Sequence, residues 1–378
     1  MPEIVLFGAT GYTGRLTARA MVARGSKPVL AGRNEAALKA LATELGGLAV
    51  RVADVADAAS VRAIVKGGDV LVTTVGPFAR YGKPALDAAI ASKAHYLDST
   101  GEPAFIRQVF EEYGPRARGA GTALLTAFGY DYVPGNTVAA AALERAGKQA
   151  VRVDVGYFFV GPVAMSQGTA TSIAGAMIDP GLLFRNGALR PGYGGVETRS
   201  FDVDGKPVKG VSVPGTEGVA LPASYPQLTD VHVYLGVGAA APVLSAVSRA
   251  QRVLLASPSY KRLLGKVSER LVSSGKGPSD EARASTGAHV IGIAYDAAGK
   301  VLATAELRGV NVYTYTAGIL AWGAQQALEG RLKSSGALGP VGAFGLDALI
   351  EGNREAGFEL GVAPGRAERD QASTTDVS

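Results

Sequence analysis

Through the first third of the chain, short continuous runs of apolar residues alternate with stretches of helical spacing. Ile4-Val5-Leu6-Phe7 is the first such run, the pattern of a strand buried on both faces. Beyond Gly8–Gly14, Leu16, Ala20 and Val22 recur at helical spacing, and Gly25 ends that helix. A second strand over 28–31 closes on Gly32-Arg33. Asn34 can then cap a helix with Leu38, Leu41 and Leu45 on one face. Strands over 48–52, 69–75, 95–97 and 122–127 alternate with helices over 57–66, 84–92 and 103–113. Strand–helix alternation of this kind predicts an α/β protein with a Rossmann-type, doubly wound parallel sheet.

After about residue 133 the rhythm changes. A long strand over 151–160, a helix over 169–178, a hairpin over 198–213 around Asp204-Gly205 and a second one over 287–310 around 296–300 predict an α+β region with mixed or antiparallel pairing. Residues 273–286 read as a polar, charged loop. Helical spacing returns over 314–328 and 341–358. The expected division is 1–134 for cofactor binding, 135–312 for substrate, 313–360 for closing helices and 361–378 for a disordered tail.

Residues 231–248 are uncharged for 18 positions, but Gly236, Gly238 and Pro242 interrupt them. The expectation is a strand over 231–237 and a helix from about 241 rather than a membrane span, and peripheral membrane contact through 231–255 stays open. The N-terminus enters a strand directly, with no secretory pattern, so a soluble cytoplasmic protein is expected.

The chain of 378 residues has no cysteine, which excludes disulfides, thiol nucleophiles and cysteine-bound metal. Its three histidines, His95, His232 and His289, lie far apart, so no metal site is expected. The net charge of +5 is not gathered into basic runs, and no nucleic-acid partner is expected. Glycine is abundant, 51 residues, about double the usual ~7%.

Gly8-x-x-Gly11-x-x-Gly14 stands between the first strand and the first helix, where a dinucleotide fold needs it. The first glycine permits the tight turn and the second lets the main chain approach a pyrophosphate. The third lets helix and sheet come close, and the helix N-terminus offers free N–H groups. Thr10, Tyr12 and Thr13 complete this cofactor loop. An NAD site usually places an acid about 20 residues on; here Arg33 and Asn34 stand at the end of strand two. A guanidinium suits a 2′-phosphate, so the expected cofactor is NADP (NADPH). Asp54, closing strand three, is placed near the adenine. Val75-Gly76-Pro77-Phe78 would form a wall beside ribose and nicotinamide, with Asp98 closing strand five in the same cofactor-binding set.

These segments, together with Ala31-Gly32-Arg33, Tyr81-Gly82, Tyr96 to Glu102 and Gly129-Tyr130-Asp131-Tyr132-Val133-Pro134, resemble the saccharopine dehydrogenase-like oxidoreductases. Within them the chain looks most like the branch of bacterial trans-acting enoyl reductases. That branch carries an acid where this chain has Asn136. The likeness runs from residue 3 to about 330 and is densest over the first 136 residues. It implies a nicotinamide-binding domain, an inserted substrate domain and terminal helices returning to the first. Family members reduce or oxidise C–N bonds of amino-acid adducts or reduce C=C bonds of acyl chains.

Tyr81, Lys83 and Asp131 are the candidates for proton handling, and Asp98 and Glu102 form a further carboxyl pair after strand five. Tyr130, Ser166, Thr169 and Ser172 are placed at the substrate. No tyrosine is followed by lysine four residues on, which argues against the short-chain reductase mechanism, and there is no P-loop. The expected function is NADPH-dependent reduction of a C=C bond in an apolar unsaturated acyl or carbonyl substrate. Reduction or oxidation at a C=N or C–N bond of an imino or amino acid is the alternative. A non-catalytic NADP-binding regulator, a membrane-peripheral protein and a homodimer also stay open.

Overall fold

The computed structural model describes residues 1–161, 180–254 and 277–361. Six strands, β1 (Ile4–Phe7), β2 (Val29–Gly32), β3 (Val50–Val52), β4 (Val70–Thr73), β5 (His95–Asp98) and β6 (Ala123–Leu125), form an all-parallel sheet. A seventh strand, Gly336–Ala337, adds beside β6, so the order runs Gly336–Ala337, β6, β5, β4, β1, β2, β3. The sequence shows six of these seven. A two-residue strand has no periodicity, and its place is set by chain that returns from far away. The order reverses beside β1, which is where a doubly wound sheet opens a crevice at its carboxyl edge.

Helices flank this sheet much as their spacing predicts. One exception lies after β5. The helix expected to end at residue 113 instead runs Pro103–Gln108, widens into a π-turn over Val109–Tyr113 and continues as Gly114–Ala120. Pro115 has no N–H to give to the preceding turn, and the wider turn accommodates that loss.

The second sheet is mixed. Its main strands are β7 (Arg152–Val160), β10 (Thr198–Val203), β11 (Lys206–Ser212), β12 (Asp230–Gly236), β13 (Gly287–Tyr295) and β14 (Val301–Val310). They are ordered β10, β11, β12, β7, β13, β14, and Phe358–Gly361 follows at the edge. β7 and β12 are parallel neighbours; the other pairs are antiparallel. Asp204 and Gly205 both take positive φ (55° and 75°), the mirror-image turn that joins β10 to β11. A further hairpin, β8 (Gly181–Arg185) with β9 (Ala188–Gly192), turns on Asn186-Gly187. The Asn-Gly pair signalled that turn, but the flanking polar residues hid the strands.

Two expectations change in the second half, and a third holds. The predicted polar loop contains a short helix, Asp280–Ala284, capped by Ser279, whose hydroxyl accepts from the Ala282 N–H. The segment 341–358 is two helices, Pro340–Phe344 and Leu346–Glu355, with a strand starting at Phe358. Residues 231–254 form strand β12 and the helix Ala241–Leu254, and no helix among the described residues is long and apolar enough to cross a membrane. The helix expected over 169–178 and the tail after 361 lie outside the described residues.

The two sheets share one continuous apolar core. Leu6, Val72 and Leu97 of the first and Val153, Val290 and Leu307 of the second belong to the same buried cluster. Two helices bridge them. Val133–Ala146 packs on β7, β13 and β14, and Val312–Leu328 packs on the helix Tyr12–Ala23 and on β1, β4 and β5. Gly323 lets the second helix approach closely, since a Cβ there would lie 2.5 Å from the Phe128 ring.

Candidate functional site

The glycine turn is built as its spacing requires. Gly8 holds φ +88°, and its N–H donates to Ala31 O at 2.9 Å. A Cβ on Gly14 would lie 2.1 Å from Gly8 O, so only glycine lets the helix start this close to the strand. Gly11 is exposed and sits at the N-cap of Tyr12–Ala23, and no side chain caps that helix. The amides of the first turn are left to a ligand, and their partial positive charge suits phosphate.

Tyr12 faces a neighbour the sequence did not announce. Its hydroxyl donates to Pro278 O at 2.7 Å and accepts from Arg283 Nη1 at 3.0 Å, and its ring meets Tyr313 edge-on at 5.2 Å. Gly277 lies against the ring face, where a Cβ would come within 2.6 Å. Chain from the second half of the protein therefore closes over the cofactor loop.

Arg33 is exposed at the end of β2 and forms no ion pair among the described residues. Asn34 caps the next helix, accepting from the Ala37 N–H at 3.0 Å. Asp54 closes an Asx turn through the Ala56 N–H at 2.9 Å. Gly76 and Pro77 are exposed after β4, Val75 is half-buried and Phe78 is buried.

Asp98 is enclosed. Its Oδ1 accepts from the Thr100 and Ala127 N–H groups at 2.9 and 2.8 Å, and its Oδ2 from the Thr126 hydroxyl at 2.9 Å. Burial pushes its pKa to about 6 in spite of these bonds. Its work is local: it ties β5 to the turn after β6 and holds Ala127 at φ 57°. Glu102 is likewise committed, accepting from the Phe78 and Ala79 N–H groups at 2.7 and 2.9 Å. Lys83 lies on the surface, paired with Asp87 and lying over the Tyr113 ring, and Tyr81 stacks beneath the Arg80 guanidinium. Neither is gathered to Asp131 by any contact in the structure. Ser166, Thr169 and Ser172 lie outside the described residues.

Asp131 is different. The loop Gly129–Tyr132 follows β6 at the carboxyl edge of the first sheet. It is pinned by the Tyr130 N–H to Thr316 Oγ1 at 3.1 Å and the Val133 N–H to Gly129 O at 3.0 Å. Asp131 projects from it with its side chain open to water. It is nevertheless set deep among protein atoms, and that poor hydration pushes its pKa up to about 6. Its neighbour Tyr130 is buried in aromatic rings, with Tyr157 at 5.5 Å, Phe159 at 6.0 Å, Phe358 at 6.1 Å and Tyr315 at 6.3 Å between centroids. A small crevice beside Tyr132 is lined by Pro103, Ile106, Arg107, Leu182, Pro214 and Val219.

Behind this loop stands a second acid. Glu217, at the start of the helix Glu217–Ser224, is fully buried, and its Oε1 accepts from the Tyr157 hydroxyl at 2.6 Å. Burial, and then the charge of Asp131, push its pKa up to about 8. The only signal of Glu217 in the sequence is one acid between glycines in an apolar stretch. Tyr157 gave none, because it shares the inward face of β7 with Val153 and Val155 and reads as core.

Glu217 has a consequence for stability. Folded, it keeps its proton up to about pH 8; unfolded, it loses it near 4.5. The native state therefore binds more protons between those values, and stability falls as pH rises through that window. Glu217→Gln cannot ionise. Its Tm is expected to exceed the wild type's by about 5 °C at about pH 8 and by far less at about pH 5. Thermal melts across pH check this, and parallel curves would mean that Glu217 is ionised in the fold.

The fold and this site define an α/β dinucleotide-binding protein with a second, mixed sheet closing the cleft. Residues 4–125 match the family model described as saccharopine dehydrogenase NADP binding domain. That segment is similar to the NADP-binding domain of the saccharopine dehydrogenase family. Trans-acting enoyl reductases of Mycobacterium ulcerans and Mycobacterium tuberculosis are 37% and 36% identical to the chain over 138 residues, 35% of this chain. The match spans 33% of each relative, so the chain covers about a third of their length. Apo histidine-tagged saccharopine dehydrogenase (L-Glu forming) from Saccharomyces cerevisiae superposes with a TM-score of 0.63 over 96% of this chain and 100% of that one. At 11% identity this likeness is one of fold.

Proposed function

We propose that the protein is an NADPH-dependent oxidoreductase that reduces the C=C bond of an apolar unsaturated acyl or carbonyl substrate held beside Asp131. The observation that carries this reading is Asp131 itself, a carboxyl with no hydrogen bond or ion pair among the described residues, exposed at the carboxyl edge of the first sheet and raised in pKa by the protein packed around it. The names of the mycobacterial relatives support C=C chemistry.

The residues fit the cofactor. Gly11 leaves the approach clear, the uncapped amides after it would receive the pyrophosphate, and Arg33 would meet the 2′-phosphate. When bound, NADPH supplies a hydride to one carbon of the double bond. The protein's share is the proton for the other carbon. Protonated Asp131 can give it: the O–H bond breaks, the electron pair stays on the carboxylate, and the proton returns from solvent through the open face of the side chain. Phe159, exposed beside the buried Tyr130 ring, would offer an apolar surface to such a chain.

Purified protein with NADPH and trans-2-decenoyl-N-acetylcysteamine, read by loss of NADPH absorbance, tests this. Turnover of that thioester but not of 1-pyrroline-2-carboxylate is expected, and the reverse preference would move the chemistry to C=N. Arg33→Ala is expected to raise Kd for NADPH about 10- to 100-fold, the worth of a charge-assisted phosphate contact, and Kd for NADH less than about threefold. Equal losses in the two titrations would remove Arg33 from the 2′-phosphate.

A further inference from the structure

The chain that closes over the cofactor loop ends on Tyr12, the first residue of the helix whose uncapped amides would receive a phosphate. Glycine at 8, 11 and 14 leaves the turn before that helix permissive, so its orientation has to be fixed from elsewhere. Tyr12 is where it is fixed. Its hydroxyl donates to Pro278 O at 2.7 Å and accepts from Arg283 Nη1 at 3.0 Å. Burial raises the pKa of the phenol, so the hydroxyl keeps the proton it donates.

Arg283 is aimed inward. Its side chain is 13% exposed, against 81% for Asp280, its ion-pair partner at 2.7 Å. Nη2 takes that surface acid, while Nη1 is shared between the Tyr12 hydroxyl and Pro278 O, the latter at 3.2 Å. The segment behind it is anchored at its far end. Thr286 Oγ1 donates to Ala282 O at 3.0 Å and accepts from Asn311 Nδ2 at 2.6 Å. Asn311 in turn caps the helix Val312–Leu328, its Oδ1 accepting from the Tyr313 N–H at 2.9 Å. Gly287, next in the chain, begins β13. The guanidinium therefore reaches Tyr12 from a fixed base in the second half of the protein.

We infer that Arg283 is a positioning residue of the cofactor site: acting through the Tyr12 hydroxyl, it holds the first turn of the helix Tyr12–Ala23 in the orientation that receives a pyrophosphate. This rests on the reading of the glycine turn as a cofactor site, and it gives the second half of the chain a share in cofactor affinity. The tie orders a glycine-rich turn before the ligand arrives, so less ordering is left for binding to offset. Two consequences separate this role from a direct phosphate contact. The pyrophosphate is common to NADPH and NADH, so the tie serves both alike, whereas Arg33 would serve the 2′-phosphate alone. Linkage is also reciprocal: a tie that strengthens cofactor binding is itself strengthened by bound cofactor, by the same factor. The Arg283 and Ser285 amides, bonded to Ser279 O at 2.9 Å and Glu281 O at 3.1 Å, would then exchange more slowly once cofactor is bound.

The test titrates the full chain with NADPH and with NADH, read by fluorescence. Arg283→Ala and Tyr12→Phe should each raise Kd about 5- to 20-fold, by the same factor for the two cofactors. The double variant should lose little more than either single one, because both remove the same tie. Arg283→Lys, whose ammonium can still donate to the hydroxyl, should recover binding to within about threefold of wild type. Hydrogen exchange over 280–286 should slow when NADPH is added to wild type and should not respond in Tyr12→Phe. A loss confined to NADPH would put the guanidinium on the 2′-phosphate and overturn the proposal. Unchanged Kd values, additive losses, no recovery with lysine or exchange indifferent to NADPH in wild type would each overturn it too. A wild type that binds neither cofactor brings down the reading of the glycine turn and the proposal with it; wild-type binding with indifferent variants brings down the proposal alone.

Discussion

Replacing Asp131 with Asn lowers kcat for the enoyl thioester by about 10²-fold or more and leaves Kd for NADPH within about twofold. The amide keeps the shape of the carboxyl but cannot release a proton. The loop keeps its place, because its anchors are the backbone amides of Tyr130 and Val133 and the Thr316 hydroxyl. The residual rate loses its inflection near pH 6, where Asp131 titrates. Stability separates this outcome from damage to the fold. Above pH 6 the wild type carries a poorly hydrated charge that Asn lacks, so Tm is unchanged or higher in the variant at about pH 8. Steady-state kinetics, a cofactor titration and a melt settle the matter. A fully active Asp131→Asn would return the residue to a structural role.

The second large effect is at the glycine turn, where two neighbouring substitutions should fail for different reasons. In Gly14→Ala the new methyl would lie 2.1 Å from Gly8 O and 2.9 Å from Ala9 Cα, both backbone atoms. Gly8 O also accepts the Gly11 N–H at 3.0 Å, so relief means prising the helix from the turn that positions it. Overpacking of this kind costs about 1–3 kcal/mol or more, so Tm should fall by about 5–10 °C and NADPH binding by more than about 100-fold. In Gly11→Ala the methyl meets nothing nearer than Gly8 O at 3.3 Å, and the fold has room for it. There Tm should hold while NADPH binding falls, because the methyl stands where phosphate would approach. Calorimetry beside a fluorescence titration checks both. Equal losses of Tm would mean that the two glycines serve packing alike.

Six strands of the first sheet were legible because each is a local pattern. Val5, Leu30 and Val72 sit in unbroken apolar runs, since a parallel strand is covered on both faces. The hairpin at Asp204-Gly205 was legible because two positive φ angles demand those residue types. The hairpin at Asn186-Gly187 carried the same signal but was masked by Arg185, Arg190 and Pro191 beside it. Among candidate site residues, Gly8, Gly11 and Gly14 could be placed from spacing alone, because the turn between the first strand and the first helix needs glycine at those points. Asp98 and Glu102 also stood out, yet the structure commits their carboxyls to the amides of Thr100, Ala127, Phe78 and Ala79. A carboxylate after a strand reads the same whether it serves a turn or a ligand.

By itself, then, the sequence determined the parallel sheet and the glycine turn, both properties of residues close together in the chain. Only the tertiary structure sets what surrounds each acid. Asp131 and Glu217 are separated by 86 positions, and Tyr157 comes from a third element. The closure of Pro278 and Arg283 over Tyr12 spans more than 260 residues. Burial and mutual charge shift an acid's pKa only when remote segments pack around it, and a linear pattern carries no record of that packing.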